Sequence, residues 1–156
     1  MDSSFSPEQF LGAALTQPLT KRPPAPAGRP FDATIGTPKF RHGVSEKDPM
    51  NPRSWVAMDV PLEIELPADV ATTVGQAKIT LTDSVFLDVG SDGKSLDMSP
   101  GRNRGLRRYY DATGLNKPGT TPGHLPGNRV KVVLSHDVAK DGSGDLYERV
   151  AGITKA

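Results

Sequence analysis

The chain has 156 residues, of which 35% are apolar, and its 16 glycines and 15 prolines make up about a fifth of it. That many breakers excludes a helical bundle, and the absence of cysteine excludes disulfide frameworks and thiolate metal sites. The net charge of +1 hides blocks of +2 (residues 1–56), −6 (57–99), +6 (100–131) and −1 (132–156), so a basic stretch follows an acidic one. Either the basic block marks an anion-binding surface, or the two blocks neutralise each other in the fold.

Residues 1–30 read as an N-terminal arm. Ser6-Pro7 is a helix start, and Phe10, Leu11, Ala14 and Leu15 form one face of a short helix. Phe5 joins the same apolar set. Residues 21–30 hold four prolines and predict an extended linker. The opening MDSSFSPEQF is neither basic nor apolar, so no secretory signal is expected, and no apolar run is long enough to span a membrane.

Residues 31–156 read as one mainly β domain. Phe31, Ala33 and Ile35 alternate with polar residues in a first strand reaching roughly Arg41, and residues 42–54 read as a long loop. Val56, Met58, Val60, Leu62, Ile64 and Leu66 give the second strand one apolar face, with Pro61 demoting part of it to an edge or bulge. A turn is expected around residues 67–76. The third strand points Ile79, Leu81, Val85, Leu87 and Val89 inward, with Asp83 an unexplained polar exception. Ser99-Pro100 predicts a helix start. Leu106, Tyr109, Tyr110 and Thr113 share one face of that helix and Gly114 stops it. A fourth strand over Val130, Val132 and Leu134 and a fifth over 146–154 flank a hairpin turn at Asp141-Gly142-Ser143-Gly144. Five strands with one helix between the third and fourth is the order of an OB-fold-like β-barrel.

No catalytic constellation is legible. His42, His124 and His136 lie in separate segments, and there is no nucleophile elbow. Gly90–Ser95 ends like a phosphate-binding loop but has Asp88 where the first glycine belongs, so it reads as a turn. The 141–145 stretch lacks the distal Glu of a calcium loop. The expectation is a non-enzymatic protein without metal or cofactor.

Binding residues are better represented. Trp55 and Phe86 face outward on neighbouring strands, close enough to form one stacking surface, and every nucleobase has a π-face. Arg41, Arg53, Arg129, Lys131 and Lys140 are the candidate phosphate contacts, and Arg102, Arg104, Arg107 and Arg108 form a possible basic patch on the helix. The competing readings cover the aromatic rings with the arm or place them in a dimer contact. Asp59, Glu63 and Glu65 make the far half of the second strand acidic, so a nucleic-acid strand would track the Trp55 end.

The segments FSPEQFL, SVFLDV, KSLDMSPGRNRGL, ATGLNKPG, LPGNRVKVVL and KDGSGDLYERVAGI resemble a family of small tailed-bacteriophage and prophage proteins. The resemblance covers most of residues 5–156. It implies an OB-like single-stranded DNA-binding protein of replication or recombination, working in the cytoplasm of a bacterial host. The chain departs from many such proteins in ending without an acidic tail. Two alternatives stand beside it: an assembly protein whose arm self-associates, and a small inhibitor that docks on a host protein through the acidic strand.

Overall fold

The computed structural model describes residues 6–156. Among them the element order is α1 (Pro7–Leu11), β1 (Pro30–Ile35), β2 (Lys39–Ser45), β3 (Arg53–Glu65), α2 (Ala68–Val74), β4 (Lys78–Leu87), α3 (Arg104–Thr113), a 3-10 turn (Pro122–His124), β5 (Arg129–Val138) and β6 (Leu146–Lys155). The strands form one antiparallel sheet in the order β2-β3-β1-β5-β6, with β4 on the other edge of β3. β4 and β6 approach each other beside α3 without a ladder, so the sheet curls but does not close into a barrel.

The chain is mainly β, as expected, but it has six strands rather than five. The expected first strand is broken into β1 and β2 at residues 36–38. The expected 42–54 loop is shorter than its composition suggests: β2 runs on to Ser45 and β3 begins at Arg53, leaving residues 46–52 as the connection. The turn at 67–76 contains α2, which buries Val70 and Val74 and stops at Gly75 in a left-handed conformation.

The break explains Pro61. The N-terminal part of β3 pairs with β2 up to Asp59↔Lys39, and its C-terminal part pairs with β1 from Leu62↔Ile35. The Pro61 carbonyl accepts the Gly36 N–H at 2.8 Å. A residue's N–H and C=O point to the same edge of a strand, so the missing N–H of Pro61 faces the gap between β1 and β2. The β4 ladder continues through Pro61↔Thr82, and proline sits mid-strand without forfeiting a bond.

The core lies inside the curl. Phe31, Ala33, Ile35, Met58, Val60, Leu62, Ile64, Ile79, Val85, Val130, Val132 and Leu134 are buried, following the period-two pattern of their strands. α3 packs against β4, β5 and β6 through Leu106, Tyr109 and Tyr110, three of the four residues expected on that face. A Cβ on Gly105 would lie 2.5 Å from a Val85 methyl, so the glycine sets how closely the helix approaches β4. The helix starts at Arg104, not at Ser99-Pro100. Buried Asn103, at φ 53°, takes the cap position and clasps the end of β4. It exchanges backbone and side-chain bonds of 2.7–2.9 Å with Asp88 and donates to the Asp97 carbonyl at 2.9 Å.

Asp83 has a partner in α3. Its carboxylate accepts from the Tyr109 hydroxyl at 2.6 Å and from Arg108 at 2.9 Å. Burial, then the neighbouring Asp83 charge, push the Tyr109 hydroxyl well above its ordinary pKa of 10.0.

Residues 21–29 are fastened to β5 and β6. Arg22 forks onto Glu148 at 2.6 and 3.1 Å. The Ala25 N–H donates to the same carboxylate at 3.0 Å, His136 Nε2 donates to the Ala25 carbonyl at 2.6 Å, and the Gly28 N–H donates to the Leu134 carbonyl at 3.0 Å. Ala25 is fully buried. Upstream the character changes: α1 buries nothing, and Leu11, Leu15 and Leu19 are exposed. Phe5 lies outside the described residues.

Candidate nucleic-acid interface

Alternation puts the odd-numbered residues of β3 on the outer face of the sheet. The register then sets Arg41, Ala57 and Phe86 in one row across β2, β3 and β4, with Gly43 opposite Trp55 in the row beside it. Every pair in the β3–β4 ladder sums to 143, which places Trp55 diagonal to Phe86. The two rings meet edge to face, centroids 6.0 Å apart at 82°. Phe86 is 67% exposed, Trp55 is half-buried, and Ala57 forms the buried floor between Arg41 and Phe86.

Gly43 determines how the indole lies. A Cβ there would sit 2.6 Å from Trp55 Cζ2 and 2.8 Å from Cε2, so the ring rests across the bare backbone of β2. The Arg41 guanidinium stands 5.7 Å from the Trp55 ring, within cation–π range. Arg41 is itself held: it forks onto Asp59 at 2.5 and 3.0 Å, and Ser84 donates to the same carboxylate at 2.6 Å. Those bonds, Arg41 first, pull the Asp59 carboxyl down to about 2 from 3.8.

The other candidate cations are scattered. Arg53 lies two residues from Trp55 on the same face, is exposed, and has no ion pair with a described residue. Lys140 is exposed in the β5–β6 turn, also without an ion pair to a described residue. Arg129 forks onto Glu65 at 3.1 and 3.2 Å, and Lys131 pairs with Asp32 at 3.2 Å. Glu65 is ten residues along β3 from Trp55, roughly 33 Å at about 3.3 Å per residue. Arg129 and Lys131 therefore stand at the other end of the outer face.

The helix cations do not gather into one patch. Arg102 pairs with Asp97 at 3.8 Å, Arg107 with Asp111 at 3.2 Å and Arg108 with Asp83 at 2.9 Å. Arg104 has no ion pair with a described residue. Much of the acidic block is answered by these cations and by Lys78, which pairs with Glu63 at 3.1 Å.

On the opposite face of the sheet at the Trp55 end, a depression of about 570 Å³ is lined by Ser54, Val56, Leu87, Asp88 and Arg102 among others. The Gly90–Ser95 stretch on its rim is a tight turn, with the Gly90 N–H donating to the Ser95 carbonyl at 2.7 Å. Asp92 caps the Lys94 and Ser95 N–H groups, and these bonds lower its pKa. Residues 139–145 form the other hairpin turn, Asp141 capping Ser143 N–H at 2.9 Å. Among the described residues no three His, Asp or Glu side chains gather as a metal site, and no helix is long and apolar enough to cross a membrane.

Sequence reasoning located Trp55, Phe86 and their separation. It missed Gly43 and the Arg41–Asp59–Ser84 group, because residues 42–54 carry loop-forming composition. The signal available was the Phe40–Val44 alternation around a glycine. Comparison of the chain with protein-family models, curated proteins and solved structures finds no match.

Proposed function

We propose that the chain binds single-stranded nucleic acid, in the manner of a phage single-stranded DNA-binding protein, without catalysing a reaction. The observation that carries this reading is the edge-to-face Trp55–Phe86 pair, exposed on the sheet beside Arg41 and Arg53. Such a surface offers π-faces to bases of any sequence, each stack being worth about 1–3 kcal/mol, with cations alongside for the backbone. The topology supports it. With β1 and β2 counted as one strand bent at Gly36, the strand order and the helix between β4 and β5 follow the OB pattern, left open between β4 and β6. The β2–β3 and β5–β6 loops, which carry Lys47 and Lys140, are then the loops that border an OB ligand face.

The charge pairing limits the electrostatic share. With Arg53 and Lys140 without an ion pair to any described residue and Arg41 held by Asp59, about two to three phosphates are neutralised, giving a log–log salt slope of about −1.4 to −2. Fluorescence anisotropy with labelled oligo-dT over a salt series measures this. No binding at low salt rejects the reading, and equal affinity for duplex and single strand reduces it to plain electrostatics.

The exposed Leu11, Leu15 and Leu19 favour a second reading, an assembly protein whose arm engages a neighbour. A nucleic-acid-free oligomer that dissociates when residues 1–20 are removed is its signature.

A further inference from the structure

β2 is an edge strand of unusual composition. It pairs with β3 alone among the described residues, and its seven residues are mostly exposed. Its even-numbered residues continue the core face of the sheet, since Phe40 stands opposite buried Met58 and His42 opposite Val56. Yet Phe40 is 54% and Val44 56% exposed. The edge is lightly protected: no proline or bulge interrupts the strand, its lysine, Lys39, stands at the very end, and its central cation, Arg41, is turned back onto Asp59.

We propose that β2 pairs antiparallel with β2 of a second copy of this chain, about a two-fold axis through His42. The two sheets then run on as one, β4-β3-β2 followed by its symmetry mate. A two-fold axis perpendicular to the sheet keeps core-side residues on the same side, so only pairings of like parity are allowed. Centring on Arg41 sets two guanidinium groups opposite each other. Centring on Gly43 sets Phe40 opposite Glu46 of the other copy and leaves glycine facing glycine. Centring on His42 sets Phe40 opposite Val44 of the other copy, twice, which is the aromatic–β-branched pairing that sheets favour. It also sets Lys39 opposite Ser45 and Arg41 opposite Gly43, so no like-charged Lys or Arg side chains face each other within the strand. The occupant is a second copy because this register makes the strand complementary to itself. Seven residues per strand bury less than a standard interface, so the dimer is concentration-dependent.

The absence of native cysteine makes the register directly testable in the full-length protein without nucleic acid. Opposed residues of an antiparallel pair have Cα atoms about 4.5–5.5 Å apart, within disulfide range. His42→Cys is expected to form a covalent homodimer under mild oxidation. Phe40→Cys and Val44→Cys are each expected to remain uncrosslinked alone and to crosslink when mixed. Sedimentation of the wild-type chain should show mass rising towards a dimer with concentration. A chain that stays monomeric and yields no crosslinked species overturns the proposal. So does a dimer whose crosslinks form in any other pattern, since association then runs through the N-terminal arm or another face.

Discussion

The Tyr109 hydroxyl of α3 donates to the Asp83 carboxylate of β4 at 2.6 Å, tying the helix to the sheet through a bond screened from solvent. Removing the hydroxyl with Tyr109→Phe is expected to cost about 1–2 kcal/mol, since Arg108 still answers Asp83. Asp83→Ala should cost more, about 2–4 kcal/mol, because it orphans both the hydroxyl and Arg108. Chemical denaturation of both variants checks the order. The pH dependence has a definite sign. The raised pKa of Tyr109 gives stability that is complete below its unfolded value of 10.0 and is lost as pH climbs above it. Above pH 10 stability should fall by about 1.4 kcal/mol per pH unit from this group, and more shallowly in Tyr109→Phe.

At the acid end the informative group is Asp59. Its lowered pKa means that its bonds to Arg41 and Ser84 are complete above 3.8 and are lost as pH falls through about 2. A carboxyl-carbon NMR titration should place its midpoint near 2, moving up towards 3.8 in Arg41→Gln. Asp59→Asn releases the guanidinium without removing it. Under the proposed function that variant binds oligo-dT more tightly, with a salt slope steeper by about 0.7.

The aromatic pair should separate binding from folding. Phe86→Ala is expected to weaken binding of single strands by about 1–3 kcal/mol with little effect on stability. Ile64→Ala, in the core, should cost about 2–5 kcal/mol of stability. Gly43→Ala is the sharper probe, because a single methyl at 2.6 Å from Cζ2 must displace the indole. Its expected signature is an altered Trp55 emission spectrum together with weakened binding. An unchanged spectrum in Gly43→Ala refutes the described ring position.

Two truncations divide the N-terminal segment. Removing residues 1–20 takes away no described residue that is buried in the core and should leave the thermal transition nearly unchanged. Extending the deletion through residue 29 removes Ala25 and leaves the Glu148 carboxylate without Arg22, at an expected cost of about 2–3 kcal/mol. Thermal unfolding of the two truncated chains side by side reads the difference.

The apolar alternation made most of this sheet legible. Val56 to Leu66, Ile79 to Leu87 and Val130 to Leu134 announce their strands because each buries one face against a common core. The second half of β2, beyond the expected strand end at Arg41, was illegible for the opposite reason: it buries little, so Val44 carries no core signal, and His42-Gly43 reads as loop. α2 was hidden by its length, since seven residues hold too few turns for a periodic pattern. Trp55 and Phe86 were found because outward aromatics stand out on strands of known parity. The ion pairs that tie up Arg41, Arg129 and Lys131 were not, because they join residues 18, 64 and 99 positions apart.

The break opposite Pro61 sets an order of assembly. β3 and β4 are near neighbours in sequence and can zip from the α2 turn, laying down a two-stranded ribbon early. β1 is claimed from both sides, by β3 some 27 to 31 positions away and by β5 about 95 to 103 positions away. Loop closure over such distances is entropically slow, so the β1–β5 ladder is the late event that commits the molecule. β2 stands outside that commitment. Joined to β1 only through residues 36–38 and to β3 by one ladder, it adds little to the buried core, and the bare backbone beneath Trp55 depends on that one ladder.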